Sequence, residues 1–129
     1  MLALETLRGT RLVSDAAALD GMVVAEGAIV LRFAPDELFV VFPEPSGQLD
    51  EAHSKAIVVE ETGFVGCWLT LNELMARVLP HVDWALPDAR PVLAQGFVAG
   101  VPAKLWLEPK RALLVCAAAY ANELAERLG

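Results

Sequence analysis

The apolar residues of this 129-residue chain come in short runs, separated by glycine, proline and acidic residues. The longest run, 112–121, is about half as long as the ~20 residues that a membrane-spanning helix needs. Short runs of this kind are typical of strands and of amphipathic helices around a folded core. Because 56% of the residues are hydrophobic and the length is that of one ordinary domain, we predict a single folded domain over residues 1–129.

The charge balance narrows the classes of partner. Ten basic and 17 acidic residues give a formal net charge of −7, which repels nucleic acid and anionic membrane surfaces. Residues 1–12 lack the continuous apolar segment of a signal peptide. Cys67 and Cys116 have no CxxC partner, so we expect reduced thiols in a cytoplasmic protein, with a disulfide between them as the alternative.

The first half of the sequence is predicted to be rich in strands. Residues 34–37 (Ala-Pro-Asp-Glu) have the composition of a tight turn, which predicts an antiparallel hairpin between the apolar runs on either side. Residues 43–54, with two prolines and three carboxylates, are predicted to form a long surface loop. The strands predicted around these turns are 22–25, 28–33, 38–42, 56–60 and 64–69.

A helix is predicted after the last of these strands. Thr70 and Glu73 have the spacing of a capping box, in which each side chain accepts a hydrogen bond from the other residue's backbone N–H. Pro80 is expected to end the helix. The apolar stripe of this helix is predicted to consist of Leu71, Leu74, Met75, Val78 and Leu79.

The second half predicts a three-strand meander and a closing helix. The strands are 92–98, 101–107 and 111–116, joined by Ala99-Gly100 and by a turn at 108–110. The closing helix, 118–128, has Tyr120, Leu124 and Leu128 at helical spacing. The order of elements predicts an α+β fold, a two-layer sandwich of mainly antiparallel sheet with two helices on one face.

Residues that could carry chemistry are few. Cys67 precedes the capped helix. His81 and Asp83 form an H-x-D pair, but a metal site needs three or four converging ligands. The other histidine, His53, lies in the predicted loop. The adjacent carboxylates at 36–37, 50–51 and 60–61 are expected to be solvated. We therefore predict no catalytic residue and no metal site, and keep a free-standing enzyme using Cys67 or His81/Asp83 as an alternative.

The tryptophans are the more informative candidates. Trp106 and Lys104 lie on the face of their strand opposite to Val101, Ala103, Leu105 and Leu107, and Trp84 follows the capped helix. Large aromatic residues on an uncovered sheet face often mark an interface. Trp84, Lys104 and Trp106 are therefore candidates for a protein interface or for stacking a ligand, with packing of Trp106 under the acidic loop as the structural alternative.

Several segments together resemble one known family, the gamma subunit of heterotetrameric sarcosine oxidase, which is related to the folate-binding domain of the glycine-cleavage T-protein. The resemblance covers about residues 25–128. It rests on Leu31–Leu38, Trp68–Thr70, His81–Trp84, Gln95–Trp106 and Ala117–Leu124.

This resemblance implies an accessory or interaction domain that is not catalytic by itself. Its partners would be oxidase subunits or a second copy of the chain, and no cofactor is expected. The folate-binding relatives imply an alternative, a domain that binds a folate-like or pterin-like compound through Trp84 or Trp106.

Overall fold

The computed structural model describes residues 2–22, 26–41 and 56–129. The chain divides into two compact units: a larger unit of Met1–Leu7 with Gly63–Gly129, and a smaller unit of Arg8–Thr62. The strands of each unit form an antiparallel sheet of their own, and helices complete both units. The α+β class with antiparallel pairing is therefore confirmed, while the assignment of residues 1–129 to one domain stays a prediction.

The smaller unit is built on a four-stranded sheet in the order β3-β4-β2-β5. The predicted hairpin is present as β3 and β4, which pair antiparallel across Pro35-Asp36. Two elements that the sequence analysis did not identify, β2 and α1, complete the described part of this unit. The elements are β2 (Gly9–Val13), α1 (Ala16–Asp20), β3 (Ile29–Ala34), β4 (Glu37–Val41) and β5 (Ile57–Glu61).

The larger unit has a five-stranded sheet in the order β1-β6-β9-β8-β7. The predicted meander is present with the predicted pairing of consecutive strands. At its first turn Ala99 and Gly100 both have positive φ, 51° and 75°, which matches the twist of a tight hairpin. The strands are β1 (Glu5–Thr6), β6 (Phe64–Thr70), β7 (Val92–Val98), β8 (Val101–Leu107) and β9 (Arg111–Ala117).

Two helical segments cover one face of this sheet, as predicted. We call them α2, residues 71–81, and α3 (Ala121–Leu128), which follows a 3₁₀ turn at Ala118–Tyr120. Their buried leucines and valine belong to the same core cluster as the strand residues that face them. This shared core consists of Leu2, Val65, Leu69, Leu74, Val78, Ala94, Val98, Val101, Ala103, Leu105, Leu107, Ala112, Leu114, Cys116, Leu124 and Leu128.

The capping box at the start of α2 is confirmed, but the predicted stripe is wrong at two positions. Only the first three residues are α-helical, and Leu74–Val78 forms π-helix with an i→i+5 bond from Leu79 N–H to Leu74 O. A π-turn widens the repeat, so residues spaced for an ordinary α-helix no longer share one face. Leu74 and Val78 are buried, whereas Leu71 and Met75 are 40% and 65% exposed.

The closing helix also differs from the prediction, at one position of its apolar stripe. Tyr120 lies in the 3₁₀ turn before α3 and is 40% exposed, while Leu124 and Leu128 are buried. The predicted strand at 22–25 lies outside the described residues except for Met22. The predicted loop at 43–54, with His53, lies wholly outside them. None of the helices in the described ranges is long and apolar enough to cross a membrane.

Candidate functional site

The candidate site lies on the second face of the larger sheet, the face opposite to α2 and α3. On this face Leu113 and Val115 are fully buried, and Trp68 is 39% exposed. Alternation along β8 places Lys104 and Trp106 there, as predicted, because Val101, Ala103, Leu105 and Leu107 fill the core on the other side. Trp106 is opposite Leu93 on β7 and opposite Leu113 on β9, and Leu113 is opposite Trp68 on β6. These four residues form one row across the sheet.

A polar network ties the two tryptophans of this row together. The indole Nε1–H of Trp106 donates to Glu108 Oε2 at 2.8 Å, and Arg111 Nε–H donates to Glu108 Oε1 at 2.8 Å. The Arg111 guanidinium lies 3.7 Å from the centroid of the Trp68 ring, within the range of a cation–π contact. We call Trp68, Trp106, Glu108 and Arg111 the indole–arginine cluster.

The electrostatics of the cluster hold Glu108 in its charged form. Partial burial alone would raise the pKa of this carboxyl, but the hydrogen bonds from Arg111 and Trp106 and the charge of Arg111 lower its pKa overall. Glu108 therefore stays an acceptor and orients both donors. Since the charge of Arg111 is already neutralised by Glu108, the cluster is suited to contact with a partner rather than to proton transfer.

The cluster also presents surface to a partner. The Trp68 residue is 39% exposed and the Arg111 side chain is 52% exposed. Tryptophan and arginine are the residue types most enriched among the dominant contacts of protein interfaces. Sequence reasoning missed Trp68 and Arg111 because only the β6–β9 register brings them together, although the Glu108–Arg111 spacing across a turn was a readable signal.

Trp84 is not part of this face. Its indole packs against Gly96 of β7, on the side of the sheet that α2 and α3 cover, and its Nε1–H donates to Phe97 O at 2.8 Å. A Cβ at Gly96 would lie 2.6 Å from Trp84 Cε2, so glycine is required for this close approach. The structure thus brings Lys104 and Trp106 together and places Trp84 apart from them.

The cysteines have the features of core residues. Both are free thiols. Cys116 is buried and Cys67 is half-buried against the same core cluster. Burial raises the pKa of both thiols, and the Glu73 carboxylate adds to the increase at Cys67. A reactive cysteine needs the opposite shift, toward the thiolate.

The other predicted candidates that lie in the described part of the chain do not assemble into a centre. His81 ends α2 and Asp83 follows it in an exposed stretch, and among the described residues no three His, Cys, Asp or Glu side chains are placed to hold a metal. In the smaller unit, Glu37 pairs with Arg11 at 2.9 Å. A shallow cavity of about 480 Å³ in that unit is lined by Val13, Ser14, Asp15, Ala16, Asp36 and Ile57.

Comparison with known proteins gives a structural likeness. A chain of the heterotetrameric sarcosine oxidase from Corynebacterium sp. U-96, solved in complex with pyrrole 2-carboxylate, matches with a TM-score of 0.72. The match covers 99% of this chain and 80% of that chain at 15% sequence identity. No protein-family model and no curated protein sequence matches. The likeness therefore shows a shared fold with a chain of a multi-subunit enzyme.

Proposed function

We propose that this chain is an accessory subunit, not catalytic by itself, that docks on other subunits of an oxidase-type complex. We further propose that it belongs with the gamma subunits of heterotetrameric sarcosine oxidase, which it resembles in sequence. The observation that carries the proposal is the match of 99% of the chain, at a TM-score of 0.72, to a chain of such a complex.

Two features of the larger unit support a role in binding rather than in catalysis. Its thiols are held away from the reactive form by burial, and within the described ranges no metal-holding group of side chains is present. The accessible side chains on the second face include the Trp68 indole and the Arg111 guanidinium, which suit a protein contact. The free thiols are consistent with the reducing cytoplasm that we propose as its location.

The indole–arginine cluster is the part of the surface that we assign to the partner. Trp68 offers a flat apolar area that Arg111 holds in place, and Glu108 fixes Arg111 in turn. An aromatic side chain that is already ordered loses little conformational entropy when it is buried by a partner. This arrangement favours a protein contact centred on Trp68.

The test is co-expression of the tagged chain with the products of the genes beside its own, followed by native mass spectrometry. We expect a heteromer of fixed stoichiometry. Trp68→Ala and Arg111→Ala should weaken it by about tenfold or more, because such residues dominate interface energies.

Met75→Ala is the matched control. This residue is 65% exposed but lies on α2, which covers the opposite face of the sheet, so its variant should assemble like the wild type. Far-UV circular dichroism should show that all three variants are folded. A chain that binds none of the neighbouring products, or a complex indifferent to Trp68 and Arg111, would contradict the proposal.

A further inference from the structure

The Arg111 guanidinium carries more hydrogen-bond donors than its own cluster uses. A guanidinium has five N–H donors in one plane. Glu108 Oε1 accepts from Arg111 Nε–H at 2.8 Å, and the guanidinium carbon lies over the Trp68 ring, 3.7 Å from its centroid. In the described part of the chain no acceptor takes the N–H groups of the two terminal nitrogens, and the side chain is 52% exposed. Four donors are therefore available to a partner.

These donors are already held in place. Glu108 fixes the guanidinium from the Nε side, and Trp68 fixes it by a cation–π contact. A side chain that is ordered before binding loses little conformational entropy when a partner covers it. A polar donor that is buried without an acceptor costs free energy, so a partner that covers Trp68 has to supply acceptors for Arg111 as well.

The local charge indicates which kind of acceptor fits. The larger unit has six basic and seven acidic residues, whereas the smaller unit has four basic and ten acidic residues. Most of the negative charge of the chain therefore lies outside the unit that carries the cluster. The turn 108–111 has two basic residues, Lys110 and Arg111, and one carboxylate, Glu108. A local excess of positive charge attracts a negatively charged group.

We propose that the partner subunit presents an acidic side chain to this turn, and that its carboxylate accepts hydrogen bonds from the terminal N–H groups of Arg111 while the partner covers Trp68. This inference rests on the docking role proposed above and names the chemistry of the contact. Arg111 then lies between two carboxylates, that of Glu108 and that of the partner. A carboxylate matches the planar fork of a guanidinium because it can accept two parallel hydrogen bonds. Lys110, which is exposed in the same turn, compensates the second negative charge.

The test measures the dissociation constant of the heteromer formed with the co-purifying neighbour subunit, at low and at high salt. Arg111→Gln should raise this constant by about tenfold or more at low salt. The ratio to the wild type should shrink at high salt, because salt screens the attraction between Arg111 and the carboxylate as the surfaces approach. Arg111→Lys keeps the charge but not the planar fork, so it should bind with intermediate strength and keep the salt dependence of the wild type.

Met75→Glu is the matched control. It makes the net charge more negative by one, as Arg111→Gln does, but at an exposed residue of α2, on the other side of the sheet. It should bind like the wild type at both salt concentrations. Far-UV circular dichroism should show that every variant is folded.

A double-mutant cycle identifies the carboxylate. Each acidic residue of the neighbour subunit is replaced in turn by its amide, alone and together with Arg111→Gln. One of these replacements should cost little once Arg111 is absent, because the pair it belongs to is already broken.

Two results would overturn the inference and leave the docking role standing. One is a heteromer whose salt dependence is the same with Arg111→Gln as in the wild type, which would indicate a neutral acceptor. The other is a cycle in which every acidic residue adds independently to Arg111→Gln. A wild-type chain that forms no heteromer, or only copies of itself, would overturn the inference and the docking role together.

Discussion

Gly96 and Trp84 form the most demanding contact among the described side chains of the larger unit. A Cβ at position 96 would lie 2.6 to 2.9 Å from three atoms of the indole, closer than real contacts allow. The missing side chain lets Trp84 reach over β7 to the carbonyl of Phe97. The sequence pattern identified Trp84 as a candidate for an interface or for ligand stacking, and that assignment stays a prediction. Its packing on Gly96 shows that Trp84 also has a structural role.

We expect Gly96→Ala to lower the free energy of unfolding of the larger unit by about 1–3 kcal/mol, because the added methyl group forces the indole or the strand to move. In the background of Trp84→Ala, the same change should cost much less, since the clashing ring is absent. Chemical denaturation followed by circular dichroism measures both. Equal costs in the two backgrounds would show that Trp84 does not occupy the space over Gly96.

Glu108 links stability to pH at the indole–arginine cluster. Its pKa in the folded protein is below the ordinary value of 4.5, so the folded state favours the charged form. The stability from this group is fully present above about pH 4.5 and is lost as the pH falls through the lowered pKa. Because the Arg111 side chain is half exposed, the contribution is about 0.5–1 kcal/mol.

Glu108→Gln removes this contribution. Its unfolding free energy should therefore lie below that of the wild type near about pH 6 and approach it near about pH 3. Glu126→Gln, at an exposed position of α3, is the control and should follow the wild type across the range. A difference between Glu108→Gln and the wild type that stays constant with pH would show that the carboxylate is not stabilised by Arg111 and Trp106.

At the scale of elements, the start of α2 depends on its capping box. Thr70 Oγ1 accepts from Glu73 N–H at 3.1 Å, and Glu73 Oε1 accepts from Thr70 N–H at 3.0 Å. Thr70→Ala should lower the unfolding free energy by about 1 kcal/mol, while Thr70→Ser keeps the hydroxyl and should cost a few tenths. Thermal unfolding by circular dichroism compares them. Equal stability of the alanine and serine variants would contradict a role for the hydroxyl.

The elements also show what local pattern can and cannot predict. The capped helix start, the 34–37 hairpin and the meander were predicted correctly, because capping side chains, turn residues and strand alternation act over a few neighbouring positions. The outward positions of Leu71 and Met75 were missed, because the residue spacing predicted a regular α-helix and did not reveal the π-turn at Leu74–Val78. Strand β2 was missed because its five residues carry little apolar signal of their own.

The candidate site, too, could be predicted only in part from the sequence. Strand alternation alone placed Lys104 and Trp106 on the face opposite to the helices. The contact between Arg111 and Trp68 depends on the register of β6 and β9, which lie about 40 residues apart in sequence. Such long-range register is set by the completed sheet, so one sequence read by pattern could not supply it.

At the scale of the whole molecule, the alternative of folate-like binding has a direct test. All three tryptophans lie in the larger unit, and the N–H groups of Trp84 and Trp106 already donate to protein oxygens. We therefore expect no saturable change in tryptophan fluorescence when the isolated chain is titrated with tetrahydrofolate. Saturable quenching that Trp106→Phe abolishes would favour a ligand-binding domain instead.

The central claim is that this chain works as part of a complex with other proteins. The most direct measurement is the native mass of the chain when it is tagged at its own chromosomal position and isolated from its own cells at its natural level. We predict a heteromer with this chain and other subunits in fixed ratio. Isolation of the chain alone, as monomer or as copies of itself, would contradict the account.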